Sequence, residues 1–192
     1  MSGSRPGPDM VNRYILDADT HATPDDRALD QSREGIVDDV GVCLNEIEAV
    51  LQGSWETSTR LEVHAEAGLP PVRCDHVGLQ TALLNLLFNA HDAMPDGGLI
   101  SIHASAVLQN TTQSLIEFRV ADSGIGMTQE TMVRAFDPFF TTKAKGLGGV
   151  GLPTVKRFSD QFGGSVDIES IQGSGTTVIL RLPAAVTGTP GR

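Results

Sequence analysis

Between Leu99 and Ala121 two apolar segments of strand period stand only a few polar residues apart, with Gln109 to Gln113 as the turn between them. Strands joined so closely pair with each other, which calls for an antiparallel or mixed sheet. A second pair follows near the end, at about Ser165–Ser170 and Thr176–Leu182. The segments before and between these pairs carry helix period. Ile36, Val40, Leu44, Ile47 and Leu51 recur at steps of three and four, and Gly53 is a plausible stop. A long helix starts at Asp75, a good N-cap, and carries Leu79, Leu83, Leu84, Leu87 and Phe88 through to Met94. Pro95 and the Asp96-Gly97-Gly98 turn end it. Arg60 to Ala65 alternate as a strand with Leu61 and Val63 on one face, a short helix spans about Gln129–Ala135, and Pro153 to Phe162 is a helix with proline in its first turn. The order is helix, strand, helix, two strands, loop, helix, two strands. It predicts an α/β (α+β) two-layer sandwich, a mixed and mainly antiparallel sheet covered on one face by about three helices.

Residues 1–31 are rich in Gly, Pro, Ser and Asp and carry no period, so they are expected to form a flexible N-terminal linker or tag. The ordered domain is expected over 32–183 and a flexible tail over 184–192. No apolar run reaches the roughly 18–20 residues of a membrane span, and the N-terminus lacks the apolar core of a signal peptide, so a soluble, cytoplasmic domain without direct membrane insertion is expected. The net charge of −10 argues against a nucleic-acid surface. It does not argue against a phosphate ligand, which needs only local donors. Cys43 and Cys74, the two cysteines, make neither a disulfide scaffold nor a zinc site and read as packing residues.

Five short patterns carry chemistry. Asn85 and Asn89 are four apart and share a helix face. Two amides on such a face need partners; they cap neighbouring backbone, or offer an oxygen to a hard cation such as Mg²⁺. Asp122-Ser123-Gly124-Ile125-Gly126 directly follows a strand. It is a strand-end turn, or a carboxylate able to accept from an exocyclic amine of adenine beside glycines that let the backbone approach the base. Phe136, Phe139 and Phe140 cluster in a loop region of a chain with seven phenylalanines; they are core, or the hinge of a mobile loop. Gly146 to Leu152, rich in glycine, precede the helix at Pro153, which suits an anion at a helix N-terminus. Gly146, Gly148 and Gly151 also satisfy G-x-G-x-x-G, but no strand precedes them, which sets the dinucleotide reading aside; no G-x-x-x-x-G-K-[ST] is present either. Last, Gly173 to Thr177 enter a strand from a hairpin turn, with Thr176 in reach of the Asp122 carboxylate through a water.

Together and in this order these motifs resemble the ATP-binding catalytic domain of sensor histidine kinases, over about residues 32–183. That domain shares the Bergerat fold of gyrase, a heat-shock chaperone and the mismatch-repair ATPases. Asn85 and Asn89 match the family's N box, Asp122 to Gly126 its G1 box, Phe136 to Phe140 its F box, Gly149 to Leu152 its G2 box and Gly173 to Thr176 its G3 box. The resemblance implies ATP and Mg²⁺ as ligands, an adenine contact at Asp122, Mg²⁺ ligation by Asn89 together with the ATP phosphates, and phosphate contacts from the backbone of Gly149, Val150, Gly151 and Leu152. It completes the nucleotide-binding set with Asn85, Asp92, Gly124, Ile125, Gly126, Phe139 and Thr176. Residues between Phe136 and Gly149 would form the ATP lid, with Lys143 reaching the phosphates; Asn85 and Lys143 are the positioning candidates. In the ATP-hydrolysing relatives a glutamate four residues before the Mg²⁺ asparagine activates water. Asn85 stands there, and an amide takes no proton, which favours phosphoryl transfer over hydrolysis.

Two departures matter. Gly148 stands where the G2 box usually has Thr or Ser. None of the five histidines, His21, His64, His76, His91 and His103, sits in the family's phosphoacceptor motif. The acceptor is therefore expected on a helical phosphoacceptor (dimerisation) domain in cis or in trans, with a response regulator downstream. The alternatives are a serine kinase of the anti-sigma-factor type on the same fold and a non-catalytic partner-binding module.

Overall fold

A computed structural model describes residues 35–55, 58–109, 114–141 and 149–185. Helix α1 (Val40–Leu51) buries Val40, Cys43, Leu44, Ile47 and Leu51 and starts where the Asp39 carboxylate accepts from Val42 N at 3.0 Å. Ile36 fits the same spacing but belongs to β1 (Ile36–Val37) and is exposed, so the helix expected from Ile36 begins at Val40 instead. Gly53 follows the helix with a φ of +81°, a left-handed stop. Helix α2 (His76–Asp92) is capped by Asp75, whose side chain accepts from Gly78 N. Its Leu79, Leu83, Leu86 and Leu87 are almost completely buried, each stabilising by about 1.5–3 kcal/mol. It ends at Asp92, two residues before Met94, where Ala93 closes the last turn.

Five strands form one sheet: β2 (Thr59–Ala65), β4 (Gly98–Leu108), β5 (Ser114–Asp122), β6 (Ser165–Ile171) and β7 (Gly175–Pro183), in the order β2-β4-β5-β7-β6. β2 runs parallel to β4, because helix α2 intervenes between them, and the remaining pairs are antiparallel. Alternation then fixes the faces. Ile100, Ile102, Ile116, Phe118, Val120, Leu180 and Leu182 point into the core, against α1, α2 and α4 (Gly151–Gln161), which contributes Val155 and Phe158. The expected two-layer sandwich with three covering helices is thus present. A fourth helix, α3 (Gln129–Arg134), buries none of its residues.

On the opposite face Glu117 accepts from Arg181 Nε at 2.7 Å, Arg181 also pairs with Asp167, and Arg119 reaches Glu169 at 2.9 Å. The register places Ile179 between Arg119 and Asp167, and it is 1% exposed. The alkyl stems of such long charged side chains can cover apolar surface. His64 and His103, partners in the β2–β4 register, stack there with ring centroids 4.9 Å apart.

A two-residue strand absent from the sequence reading, β3 (Val72–Arg73), pairs with β1. The tail is drawn in as well: Ala184 bridges Val72, and Ala185 N donates to Pro71 O at 2.7 Å. Cys43 and Cys74 are both completely buried, and burial pushes their thiols up to about 11 and about 12. Among the described residues no helix is long and apolar enough to cross a membrane.

Candidate nucleotide site

The sequence motifs meet at one end of the sheet, where β5 stops, the β6–β7 turn closes, α2 ends and α4 begins. A cavity of about 460 Å³ opens there, lined by Asn89, Asp92, Ile125, Gly126, Gly151, Leu152 and Thr176 among others.

Asp122 ends β5 opposite Thr176 in the register. Its Oδ1 accepts from Gly124 N at 2.8 Å and from Thr176 N at 3.2 Å. Burial pushes its carboxyl above the ordinary aspartate value, and the two backbone hydrogen bonds oppose that shift without cancelling it. The arrangement fixes one carboxylate oxygen by backbone alone.

The loop after Asp122 lies directly on its neighbours. Ile125 N donates to Ala93 O at 3.0 Å, and Gly173 N donates to Ile125 O at 2.7 Å. Gly126 has a φ of +63°, and a methyl carbon there would stand 2.1 Å from Ile171 O. Only glycine fits that approach.

Asn85 donates from Nδ2 to Thr81 O at 2.9 Å, so it does cap backbone of its own helix. Asn89 lines the cavity. Gly151, the first residue of α4, lies against both: a methyl carbon on it would be 3.0 Å from Asn89 Nδ2 and 3.5 Å from Asn85 Oδ1. The absence of a side chain at Gly151 thus brings the amide pair to the start of a helix whose N-cap, Val150, makes no side-chain capping bond. Helix-start N–H groups of this kind are available to an anion.

Among the expected contacts, Asn85, Asp122, Gly124, Phe139 and Val150 do not line the cavity. Phe139 is 81% exposed with a φ of 65°, whereas Phe140 lines the cavity. The left-handed turn at Phe139 sends its side chain outward, while Arg134 packs over the Phe140 ring at 4.2 Å. Phe139 N also donates to Gly149 O at 2.9 Å, which joins the two ends of the 140–148 segment. Val150 is half-exposed and outside the cavity lining, whereas Gly149, Gly151 and Leu152 lie in it. Lys143, Gly146 and Gly148 lie outside the described residues. Ala93, Met127, Thr131 and Gln172, none of them in the expected set, are among the other lining residues, and Ser170, also outside that set, accepts from Met127 N at 2.8 Å.

The family described as histidine kinase-, DNA gyrase B-, and HSP90-like ATPase matches residues 74–186, more than half of the chain. The chain belongs to this family. Within it the resemblance is to histidine kinases. The sensor histidine kinase ZraS of Escherichia coli (strain K12) is 34% identical over 141 residues, which are 73% of this chain and 29% of ZraS. Sporulation kinase E of Bacillus subtilis (strain 168) is 35% identical over 115 residues, 60% of this chain and 15% of that protein. The chain thus spans less than a third of these relatives. Among solved structures, full-length ShkA in complex with AMPPNP superimposes with a TM-score of 0.68 at 26% identity, covering 80% of this chain and 32% of ShkA. The catalytic domain of histidine kinase ThkA gives 0.66 at 23% identity, covering 76% and 92%, and shares the fold.

A metal in this family's cavity needs oxygen donors. Among the described residues no group of three or more His, Cys, Asp or Glu side chains forms a cation site. The Asn89 amide and the Asp92 carboxylate are two oxygen donors in the lining, and a hard cation such as Mg²⁺ is commonly held by one or two protein groups plus substrate phosphates.

Proposed function

We propose that the chain binds Mg-ATP in this cavity and holds the γ-phosphate for in-line transfer to a histidine on a helical phosphoacceptor domain, supplied in cis or in trans, with a response regulator as the downstream partner. The observation that carries the proposal is the seating of Gly151 on Asn85 and Asn89. It joins a phosphate-suited helix start to the amide that fits a cation, in the same cavity as the Thr176 and Gly126 end.

On this reading the Asp122 carboxylate accepts the exocyclic amine of adenine, while Gly124, Ile125 and Gly126 form the backbone wall beside the base. Asn89 would hold Mg²⁺ together with the phosphates, with Asp92 beside it, and Mg²⁺ when bound neutralises phosphate charge. The N–H groups at the start of α4 orient the phosphate chain. Lys143 enters by family resemblance alone. Catalysis is then positioning and electrostatics, the pattern of phosphoryl transfer. Asn85 already donates to Thr81 O and has no basic atom with which to activate water. That supports transfer over hydrolysis.

Calorimetric titration with a non-hydrolysable ATP analogue, with and without Mg²⁺, tests the site. Mg²⁺-dependent binding that weakens sharply in Asp122→Asn is expected; absence of binding under every condition refutes the proposal in favour of a non-catalytic partner module. The isolated chain should not label itself from radioactive ATP, because none of its histidines carries the acceptor motif. Robust labelling on a histidine would refute that part, and acid-stable phosphate on serine would indicate the serine-kinase alternative.

A further inference from the structure

We infer that Ser170 is a positioning residue that fixes which hydrogen-bonding face Thr176 turns toward a bound base, an inference that rests on the nucleotide reading of the cavity. Ser170 lies outside all five sequence motifs. It is the penultimate residue of β6 and stands directly opposite Thr176 in the β6–β7 register, on the same face of the sheet. Thr176 lines the cavity and is only 6% exposed, so the direction of its one hydroxyl proton is set by its neighbours.

Ser170 Oγ has one proton to donate and two lone pairs. Three groups surround it: Met127 N at 2.8 Å, Gly175 O at 2.9 Å and Thr176 Oγ1 at 2.9 Å. Met127 N can only donate, so it takes one lone pair. Gly175 O can only accept. If the Ser170 proton goes to Gly175 O, the second lone pair is left for the Thr176 proton, and all three bonds form together. If the Ser170 proton goes to Thr176 Oγ1 instead, the bond to Gly175 O is lost and two remain. The first arrangement makes more bonds. It leaves Thr176 Oγ1 with only lone pairs to present to the cavity.

Asp122, one strand away and bonded to Thr176 N, is also an acceptor. The Thr176 hydroxyl that lines the base end of the cavity is therefore an acceptor, and the carboxylate bonded to the same residue's backbone is another. That suits the six-position amine of adenine, and a water donating to both Thr176 Oγ1 and the adjacent ring nitrogen. It opposes a base with a carbonyl at that position. The same serine holds the loop, because its bond to Met127 N ties the segment after Gly126 to β6.

The test compares adenine with hypoxanthine, whose rings differ only at that edge. Dissociation constants of non-hydrolysable ATP and ITP analogues are measured for wild type, Ser170→Ala and Ser170→Thr, with thermal melts alongside. Wild type should prefer adenine. Ser170→Ala should narrow the adenine-to-hypoxanthine ratio by roughly tenfold, the size of one hydrogen bond, and Ser170→Thr should restore it. A lowered Tm with an unchanged ratio would mean that Ser170 only braces the loop, and overturns the inference. Should Ser170→Ala not fold, Thr176→Val removes the oriented hydroxyl and must narrow the ratio by itself; an unchanged ratio there overturns it equally. Wild type that binds neither analogue refutes the nucleotide reading and this inference with it, whereas wild type that binds both equally refutes this inference alone.

Discussion

Two glycines in the same corner of the site separate backbone strain from steric contact. Gly126 and Gly173 have φ values of +63° and +80°. A methyl group on Gly173 meets nothing within 4 Å, whereas one on Gly126 stands 2.1 Å from Ile171 O and 2.8 Å from its carbonyl carbon. Gly173→Ala therefore carries only the left-handed backbone cost of about 1–2 kcal/mol. Gly126→Ala carries that cost and must also displace the end of β6, a main-chain group that cannot rotate away, which adds about 1–3 kcal/mol. The totals are about 1–2 and about 2–5 kcal/mol. For a chain of this size each kcal/mol lowers Tm by roughly 2–4 °C. Calorimetric melts should thus show a fall of a few degrees for Gly173→Ala and roughly 4–20 °C for Gly126→Ala. Affinity for an ATP analogue should drop with Gly126→Ala and stay near wild type with Gly173→Ala. Equal melting temperatures for the two variants would refute the steric argument, since the backbone cost is common to both.

Asp122→Asn should weaken nucleotide binding without destabilising the fold. Because burial raises the Asp122 pKa, its favourable contribution is fully present below the unfolded aspartate value of about 3.9 and is lost as pH rises through the raised folded value; the stability of the Asn variant relative to wild type should therefore grow with pH across that window in urea melts, and a constant difference would contradict the shift. Gly151→Ala should leave the stability within about 1 kcal/mol of wild type, since alanine favours a helix and the Asn89 amide can give way, yet reduce analogue affinity in the presence of Mg²⁺; unchanged affinity in calorimetry would separate Gly151 from the site. Arg181→Ala removes the 2.7 Å partner of Glu117, which is 8% exposed, and should cost about 1–3 kcal/mol in chemical denaturation, with Glu117→Gln recovering part of it. Neither Cys43 nor Cys74 should react with a thiol reagent in the native protein, and both should react in denaturant.

The long elements were legible because their signals are redundant. Helix α2 has a capping aspartate, an apolar stripe and a proline-glycine stop, and each gives the same boundaries to within two residues. The β4–β5 and β6–β7 pairs are apolar strand segments joined by short polar or glycine turns. Strands β1 and β3 have two residues each, too few for any period, and Ile36 happens to lie four residues before Val40, so it read as helix until the Asp39 cap intervened. The same division holds at the site. Asp122, Asn89 and the glycines announce themselves by spacing. The aromatic cluster was visible, but which ring lines the cavity depends on one left-handed residue, Phe139, and local sequence does not encode that inversion. Ser170 was invisible for a different reason: a serine in a strand has no meaning until the register puts it opposite Thr176.

The short β1–β3 pair has a mechanical consequence. Val72 is partnered on one side by Val37 and on the other by Ala184, so the first and last described strands of the unit are fastened to the same residue. Tension applied to the chain ahead of Ile36 is therefore received at this small pair, whereas tension beyond Ala185 is shared between it and the bond from Ala184 N to Ser114 O at the start of β5.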